Sequence, residues 1–222
     1  MKRILFLVVL ILILLPVVYY FLSGGNQQKP LPVINPVDVQ SEMVDPEILR
    51  IGKGHRIGDF RFENQDGIWI TNADMKGKVS VVEYFFTTCK SICPIMNTQM
   101  QRIQRKFASN PDVRIFSFTV DPDTDSIEQM KRYANEHQAK SGQWHFLTGK
   151  KSELYQLARR SFFVLKPAEA QNLGDAGSDF IHTNNFVLVD QQLRIRGYYD
   201  GTDSQEVSKL QAHIDQLLQE PQ

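Results

Sequence analysis

Two cysteines, Cys89 and Cys93, are the residues of this chain whose type and spacing best suit chemistry. They are its only cysteines, and Lys90, Ser91 and Ile92 separate them. Thiolates are soft ligands that suit Cu(I) or zinc, and two thiols this close can also form a disulfide. The pair therefore allows a metal site, a redox dithiol or a structural disulfide, which would close only a short loop and stabilise little. The usual redox motif has two residues between its cysteines, so the three found here favour a metal site, provided that a third ligand exists.

The cysteines lie between a predicted buried strand and a predicted helix. Residues 79–86 are a continuous β-branched and aromatic run, typical of a strand buried on both faces. Pro94 opens a helical pattern that extends to about Phe107, because proline is tolerated in the first helical turn. A helix N-terminus favours negative charge, and Lys90 adds a positive charge nearby. We therefore expect thiolate character at the carboxyl edge of a sheet, where α/β proteins bind ligands.

The rest of the domain alternates strands and helices. A β-hairpin is predicted over residues 60–71, with Asp66-Gly67 at its turn. The other predicted elements are strands over 113–120, 144–147, 185–189 and 193–199 and helices over 126–137, 152–160 and 204–218. This order predicts an α/β protein with a mixed central sheet and helices on both faces, as in the thioredoxin-like fold.

Histidine is the natural third ligand for a site with two thiolates. Of the five histidines, His182 follows a loop rich in Gly, Asp and Ser (residues 174–179) and precedes the strand predicted over 185–189. A loop in that position can reach back over the cysteines, which makes His182 a candidate ligand. The other histidines fit ordinary surface or core roles: His55, His137, His145 and His213.

The N-terminus contains an apolar run of 19 residues, Ile4 to Leu22, directly after Lys2 and Arg3. Its length matches the roughly 20 residues that cross a bilayer core, and the preceding positive charge favours a cytoplasmic N-terminus. We therefore predict a single-pass membrane anchor over residues 1–22. A cleaved signal peptide, processed near residues 23–25, is the alternative.

Composition predicts one folded domain after a spacer. Residues 23–50 are punctuated by Gly and Pro, which predicts a semi-extended linker, and residues 51–222 form the domain. The 25 basic and 25 acidic side chains balance to a formal net charge of zero, which argues against a general nucleic-acid binder. The hydrophobic content of 42% is ordinary for a globular protein.

Four stretches of the domain resemble the Sco/SenC family of membrane-anchored, thioredoxin-like copper proteins. Residues 88–94 match its cysteine motif in both cysteines and the following proline. Residues 121–126 match its Asp-Pro-x-x-Asp-Thr/Ser loop, and residues 144–149 match its Trp-x-x-Leu-Thr-Gly strand. Residues 179–183 fall where the family has its histidine. The order and spacing agree over roughly residues 50–220.

The resemblance implies a copper metallochaperone. Family members bind copper through two cysteines and a histidine and help to assemble the dinuclear copper centre of cytochrome c oxidase. Carried over by position, the ligands are Cys89, Cys93 and His182, for either Cu(I) or Cu(II). The expected partners are the copper-centre subunit of the oxidase, another copper chaperone and, through residues 4–22, the membrane. The expected location is a bacterial inner membrane, with the soluble domain in the periplasm.

The alternative is a membrane-anchored thiol-disulfide oxidoreductase that keeps the oxidase subunit's cysteines reduced, or a redox sensor. Cys89 would then attack, Cys93 would resolve the mixed disulfide, and the oxidised form would hold a Cys89–Cys93 disulfide. A peroxiredoxin-like peroxidase fits less well, because the cysteines pair locally. His182 discriminates between the hypotheses, because metal binding needs it and thiol exchange does not.

The chain departs from the family pattern at two places. Lys90-Ser91 stands where the family usually has Pro-Asp, so an acidic side chain is lost and a basic one is gained beside the thiols. Ile181 stands where an Asp usually precedes the histidine, so any hydrogen bond from that Asp must come from elsewhere, for example from Asp179. Losing such an outer contact can lower metal affinity about 10–100-fold.

Overall fold

The computed structural model describes residues 3, 10–16, 18, 29–164 and 184–220. The chain divides into two compact units, residues 1–30 and 31–222. In the first unit, residues 10–16 are helical. Within the described ranges, no helix combines the length and apolarity needed to cross a membrane. The anchor predicted over 1–22 falls largely outside these ranges and stays a prediction.

The second unit is built on a mixed sheet of seven strands. They are β1 (Arg61–Asn64), β2 (Trp69–Thr71), β3 (Val79–Phe85), β4 (Val113–Thr119), β5 (Trp144–Thr148), β6 (Asn185–Val189) and β7 (Ile195–Asp200). Their order across the sheet is β2-β1-β5-β4-β3-β6-β7. The central pairs β3–β4 and β4–β5 are parallel, and the outer pairs are antiparallel. The predicted mixed sheet and the hairpin that begins it are confirmed.

Helices cover both faces of this sheet. They are α1 (Pro46–Leu49), α2 (Asn72–Met75), α3 (Cys93–Lys106), α4 (Ile127–Glu136), α5 (Lys151–Arg160) and α6 (Ser204–Gln219). Apolar residues of α3, α4 and α6 pack in one core cluster, which also holds both cysteines. Residues of α1, α2 and α5 pack in the other cluster, across the sheet. We call the first cluster the cysteine layer.

Strand β3 separates the two layers and is buried along its whole length. Because successive strand side chains point to opposite faces, Val81 and Phe85 enter the cysteine layer and Val82 and Tyr84 enter the opposite one. This explains why residues 79–86 show no alternation of polar and apolar types. The strand therefore lies within the core and ends directly before the cysteine loop.

The segment 31–50 packs on the domain, although its composition predicts a linker. Ile34 forms an antiparallel bridge with Ile195 of the edge strand β7, with a backbone hydrogen bond of 2.8 Å. Val44 and Ile48 are buried in the core cluster opposite the cysteines. Scattered apolar side chains of this segment therefore find core positions despite the surrounding prolines.

Candidate metal centre

The two cysteines lie together where β3 ends and α3 begins. Cys89 is in the loop after β3, and its backbone N–H donates to the carbonyl of Phe86 at 3.2 Å. Cys93 is the first residue of α3. Both thiols are free, and the two residues are only 8% and 4% exposed. The predicted position between a buried strand and a helix is confirmed.

Hydrogen-bond donors converge on the sulfur of Cys89. Burial acts to raise the pKa of this thiol, but donors from Cys93 and Ser91 outweigh burial and lower the pKa. Each of these two residues provides its backbone N–H and its side chain, and Ser91 Oγ lies 3.7 Å from Cys89 Sγ. Hydrogen bonds to a charged form favour it, so Cys89 is the more acidic thiol.

The pKa of the Cys93 thiol shifts in the opposite direction. Burial raises the pKa of the Cys93 thiol far above its ordinary value, and its hydrogen bond to Cys89 raises it further. The backbone N–H of Phe86 opposes this effect weakly. Sequence reasoning predicts thiolate character for both cysteines, whereas the structure gives it to Cys89 alone. Two sulfurs that share one proton in a buried site cannot both ionise easily.

Asp125 holds the start of the cysteine loop. Its buried carboxylate accepts hydrogen bonds from the backbone N–H and the hydroxyl of Thr87 and from the hydroxyl of Thr119. The sequence allows Asp125 either at the rim of the site or as a helix cap. In the structure, Ser126 caps α4 by accepting from the N–H of Gln129, and Asp125 lies beneath the loop instead.

A polar group borders Cys93 on its helix. Asn97, one turn after Cys93, donates through Nδ2 to the hydroxyl of Tyr133 at 2.5 Å and lies 3.4 Å from Nε2 of His137. Tyr133 also packs on Phe85, with ring centroids 5.4 Å apart. Sequence reasoning missed this group, because its members come from two helices. Only the i, i+4 spacing of Cys93 and Asn97 could have indicated it.

Glu83 is the second feature that the sequence analysis missed. It is the fifth residue of β3 and is 1% exposed. Its Oε1 accepts a hydrogen bond from Ser117 Oγ at 2.6 Å. The available signal is a single carboxylate within a strand that is otherwise apolar except for Ser80. Burial raises the pKa of Glu83 to about 7, against the opposing hydrogen bond from Ser117.

The third predicted ligand, His182, lies outside the described residues, as do Asp179 and Ile181. The described histidines have other contacts: His55 with the Ser161 carbonyl, His137 with Asn97, His145 with Asn64, and His213 with Tyr199. Across the described ranges, no three His, Cys, Asp or Glu side chains form a group that could hold a metal ion. The structure thus brings together the two predicted sulfur ligands, and the imidazole stays a prediction.

Comparison with known proteins identifies the family. A model of the SCO1/SenC family matches residues 50–219. The chain belongs to the SCO1/SenC family. It is 35% identical over 153 residues to the SCO1 protein homolog of Bacillus subtilis, an alignment that covers 68% of this chain and 76% of that protein. The predicted resemblance is confirmed.

Solved Sco structures share the fold. A SCO1/SenC family lipoprotein of Bacillus anthracis superposes with a TM-score of 0.64 at 27% identity, over 75% of this chain and 97% of that one. BsSco, described as having a disulfide switch and as a member of a family of cytochrome c oxidase assembly proteins, gives 0.63 at 31% identity, over 74% and 94%. Sco proteins of Bradyrhizobium japonicum, Arabidopsis thaliana and yeast, solved with copper bound, share the fold at 21–22% identity.

Proposed function

We propose that this Sco protein is a copper metallochaperone that binds one copper ion through Cys89, Cys93 and His182 and delivers it to the copper centre of cytochrome c oxidase. The observation that carries the proposal is the pair of adjacent, reduced and almost fully buried thiols at the end of β3. Soft sulfur ligands in an apolar setting suit Cu(I), which needs few ligands. Copper is the cargo here, and no turnover is required.

The asymmetry of the two thiols gives an order of binding. Cys89 carries the lower pKa and meets copper first as a thiolate. Before copper binds, the Cys93 thiol donates a hydrogen bond to the sulfur of Cys89. Copper then replaces this shared proton between the two sulfurs. An imidazole from His182 completes a three-ligand site, which leaves room for a ligand from the acceptor protein. Transfer then proceeds by exchange of ligands rather than by complete release of the ion.

The same proposal includes location and docking. Residues 4–22 anchor the protein in the bacterial inner membrane, and the positive charge before them places the domain in the periplasm. Pro94 and Ile95 are exposed directly after the buried Cys93, and Ile95 is 47% exposed. With the exposed Lys90, they form a small apolar and basic surface around the thiols. The copper-centre subunit of the oxidase and a supplying copper chaperone would both contact this surface.

A competition titration tests the proposal. The full chain, reduced and in mild detergent, is titrated with Cu(I) against a chelator of known affinity. Wild type binds one equivalent tightly, His182→Ala binds at least about tenfold more weakly, and the double change Cys89→Ser with Cys93→Ser abolishes binding. His213→Ala, which alters a histidine bonded to Tyr199, serves as the matched control and leaves affinity unchanged. Equal affinity for wild type and His182→Ala would refute the three-ligand site.

The alternative function is thiol-disulfide exchange, and one observation favours it. An acidic thiol beside a buried, protonated thiol is also the arrangement of an attacking and a resolving cysteine. A reductase or redox sensor would form the Cys89–Cys93 disulfide reversibly and would not need His182. Activity of His182→Ala equal to wild type in reducing an oxidised oxidase-subunit peptide, together with weak copper binding, would select this function.

A further inference from the structure

A cavity of about 560 Å³ lies beside helix α5, on the sheet face opposite the cysteines. Its lining from α5 consists of Lys151, Ser152, Tyr155, Gln156, Arg159 and Arg160. Asp45, which directly precedes α1, also lines it. Because residues three and four apart are neighbours on a helix, the α5 positions lie along one face of that helix. The cavity is thus built mainly on one helix face and does not involve the metal centre.

Positive charge dominates this cavity. Lys151, Arg159 and Arg160 are half-buried cations, and Asp45 is the one acid among the described lining residues. The carboxylate of Glu47 lies 3.5 Å from Arg160 Nη2, but both side chains are substantially exposed, so this ion pair is weak. The cations remain in excess when Glu47 is counted. The cavity therefore attracts an anion.

Arg159 has an unsatisfied hydrogen-bond donor. Its Nε is buried and has no hydrogen-bond partner within the described part of the chain. Arg196, by contrast, binds the carboxylates of both Asp190 and Glu220. A buried donor without an acceptor lowers stability, so a ligand that supplies an acceptor is favoured. An oxyanion bound side-on, to Nε and one Nη atom of Arg159, supplies it after a small rotation of the side chain.

Lys151 brings a cation into the cavity from the opposite end of α5. It is the first residue of the helix, where the helix dipole disfavours positive charge, so its charge does not serve to stabilise the helix. Its Nζ lies 5.6 Å from the ring centroid of Tyr155, one turn later, and the side chain therefore folds towards Arg159. The Tyr155 hydroxyl donates to the Val120 carbonyl at 3.1 Å, which holds the ring beneath Nζ.

We propose that this cavity binds a phosphate group. The planar forks of Arg159 and Arg160 match the oxygen spacing of a phosphate, and the Lys151 ammonium and the Ser152 hydroxyl add donors. A phosphate group carries roughly one to two negative charges, which balances the excess of cations in the lining. Its source is either a soluble phosphate compound or the headgroup of a phospholipid. Copper binding at the opposite sheet face is not required.

Nuclear magnetic resonance of the Arg159 Nε–H group tests the site directly. The full chain in mild detergent is titrated with inorganic phosphate at constant ionic strength, and the Arg159 signal is the one that Arg159→Gln lacks. We expect this signal to move and to saturate. Arg159→Gln should bind phosphate at least about tenfold more weakly, measured from the backbone amides of Ser152 and Gln156, because charge-assisted hydrogen bonds are lost.

Lys150→Gln is the matched control. It removes the same charge from the residue that directly precedes α5, but this side chain is 81% exposed, pairs with Glu153 and does not line the cavity. Phosphate affinity should be unchanged in this variant, and Cu(I) affinity should be unchanged in both. Equal weakening of phosphate binding by Lys150→Gln and Arg159→Gln would show diffuse surface charge and overturn the proposal.

Nanodiscs distinguish the two sources of phosphate. The full chain is placed in discs of phosphatidylcholine alone or of phosphatidylcholine with phosphatidylglycerol. Movement of the Arg159 Nε–H signal with phosphatidylglycerol and no added phosphate supports a lipid headgroup. Movement only when inorganic phosphate is added to phosphatidylcholine discs supports a soluble compound. A signal that moves in neither case, although the wild-type chain is folded, would refute the site.

Discussion

The Asp125 carboxylate accepts hydrogen bonds from both the backbone N–H and the hydroxyl of Thr87, which lies two residues before Cys89. The carboxylate is fully buried and also accepts from Thr119 at the end of β4. Gln129 of α4 adds a bond to the Thr87 hydroxyl at 3.2 Å. The cysteine loop is therefore fixed to the neighbouring strand and helix. The position of Cys89 thus depends on Asp125, which is not one of the predicted metal ligands.

Replacing Asp125 with Asn should loosen this loop. The amide nitrogen cannot accept from Thr87 or Thr119, so one buried hydroxyl loses its acceptor, at a cost of about 1–3 kcal/mol in unfolding free energy. Copper affinity should fall about 10–100-fold, as for other supports of metal ligands. Urea denaturation and Cu(I) competition measure the two effects. The control is Asp123→Asn, an exposed residue of the same segment, and a matching fall in its affinity would contradict this role for Asp125.

The two thiols should react at different rates. Iodoacetamide alkylates thiolates, so Cys89, whose pKa is lowered, should be modified before Cys93, whose pKa is raised. Cys93→Ala removes a hydrogen-bond donor and should shift the alkylation midpoint of Cys89 to higher pH. Peptide mass spectrometry across pH 5 to 10 gives both profiles. Preferential labelling of Cys93 would show that the assignment of the acidic thiol is wrong.

Glu83 should make the copper-free protein less stable as pH rises. Its pKa is raised to about 7 from the ordinary 4.5, so the native state binds the proton more tightly than the unfolded state. The contribution to stability is therefore complete below pH 4.5 and is lost progressively up to about pH 7, by about 3 kcal/mol in total. Glu83→Gln should show a smaller loss over this range, measured by urea denaturation. An unchanged pH slope in the variant would contradict a buried titrating carboxyl group.

Arg196 should hold the start of segment 31–50 against the domain. This buried side chain binds the Asp190 carboxylate at 3.0 Å and Glu220 at 2.9 Å, and it donates to the carbonyls of Leu31 (2.7 Å) and Pro32 (3.1 Å). Arg196→Met removes all four contacts, although the Asp190 carboxylate keeps its bonds from Arg194. We expect a loss of about 1.5–3 kcal/mol in unfolding free energy, the range for hydrogen bonds to charged groups.

A matched variant at Arg194 distinguishes the loss of this attachment from the loss of an ion pair with Asp190. Arg194 also binds Asp190, at 2.8 Å through Nε, but it is partly exposed and bonds neither carbonyl. Arg194→Met should lower stability by much less and leave amide hydrogen exchange over residues 31–35 unchanged. Arg196→Met should speed exchange there. Equal exchange in the two variants would rule out the clamping role of Arg196.

Local pattern predicted most of the elements closely. The strand at 79–86 was recognisable because every residue is apolar or β-branched except Ser80 and the single acid Glu83, and β3 indeed spans Val79–Phe85. The helix expected from Pro94 begins one residue earlier, at Cys93. The last strand was predicted over 193–199 and lies at Ile195–Asp200. Backbone preferences and side-chain periodicity act within a few residues, so they can be recognised in the sequence before the fold is known.

The linker shows where local pattern fails. Gly and Pro between residues 23 and 50 predict an extended spacer, yet Val44 and Ile48 are buried and Ile34 pairs with β7. Proline restricts the local backbone, but it does not decide whether an apolar neighbour finds a core position. Whether such a side chain is buried depends on how β7 and α1 pack in the folded domain, which composition does not specify.

The sequence by itself determined the family, the α/β order of elements and the position of both cysteines, because these depend on short-range pattern and on motifs in a fixed order. Only the tertiary structure decided which thiol is acidic, what Asp125 holds and where Glu83 points. Each of these depends on burial and on register between distant segments, as when Glu83 of β3 pairs with Ser117 of β4. Electrostatics in a protein follows three-dimensional surroundings, and those exist only once the chain has folded.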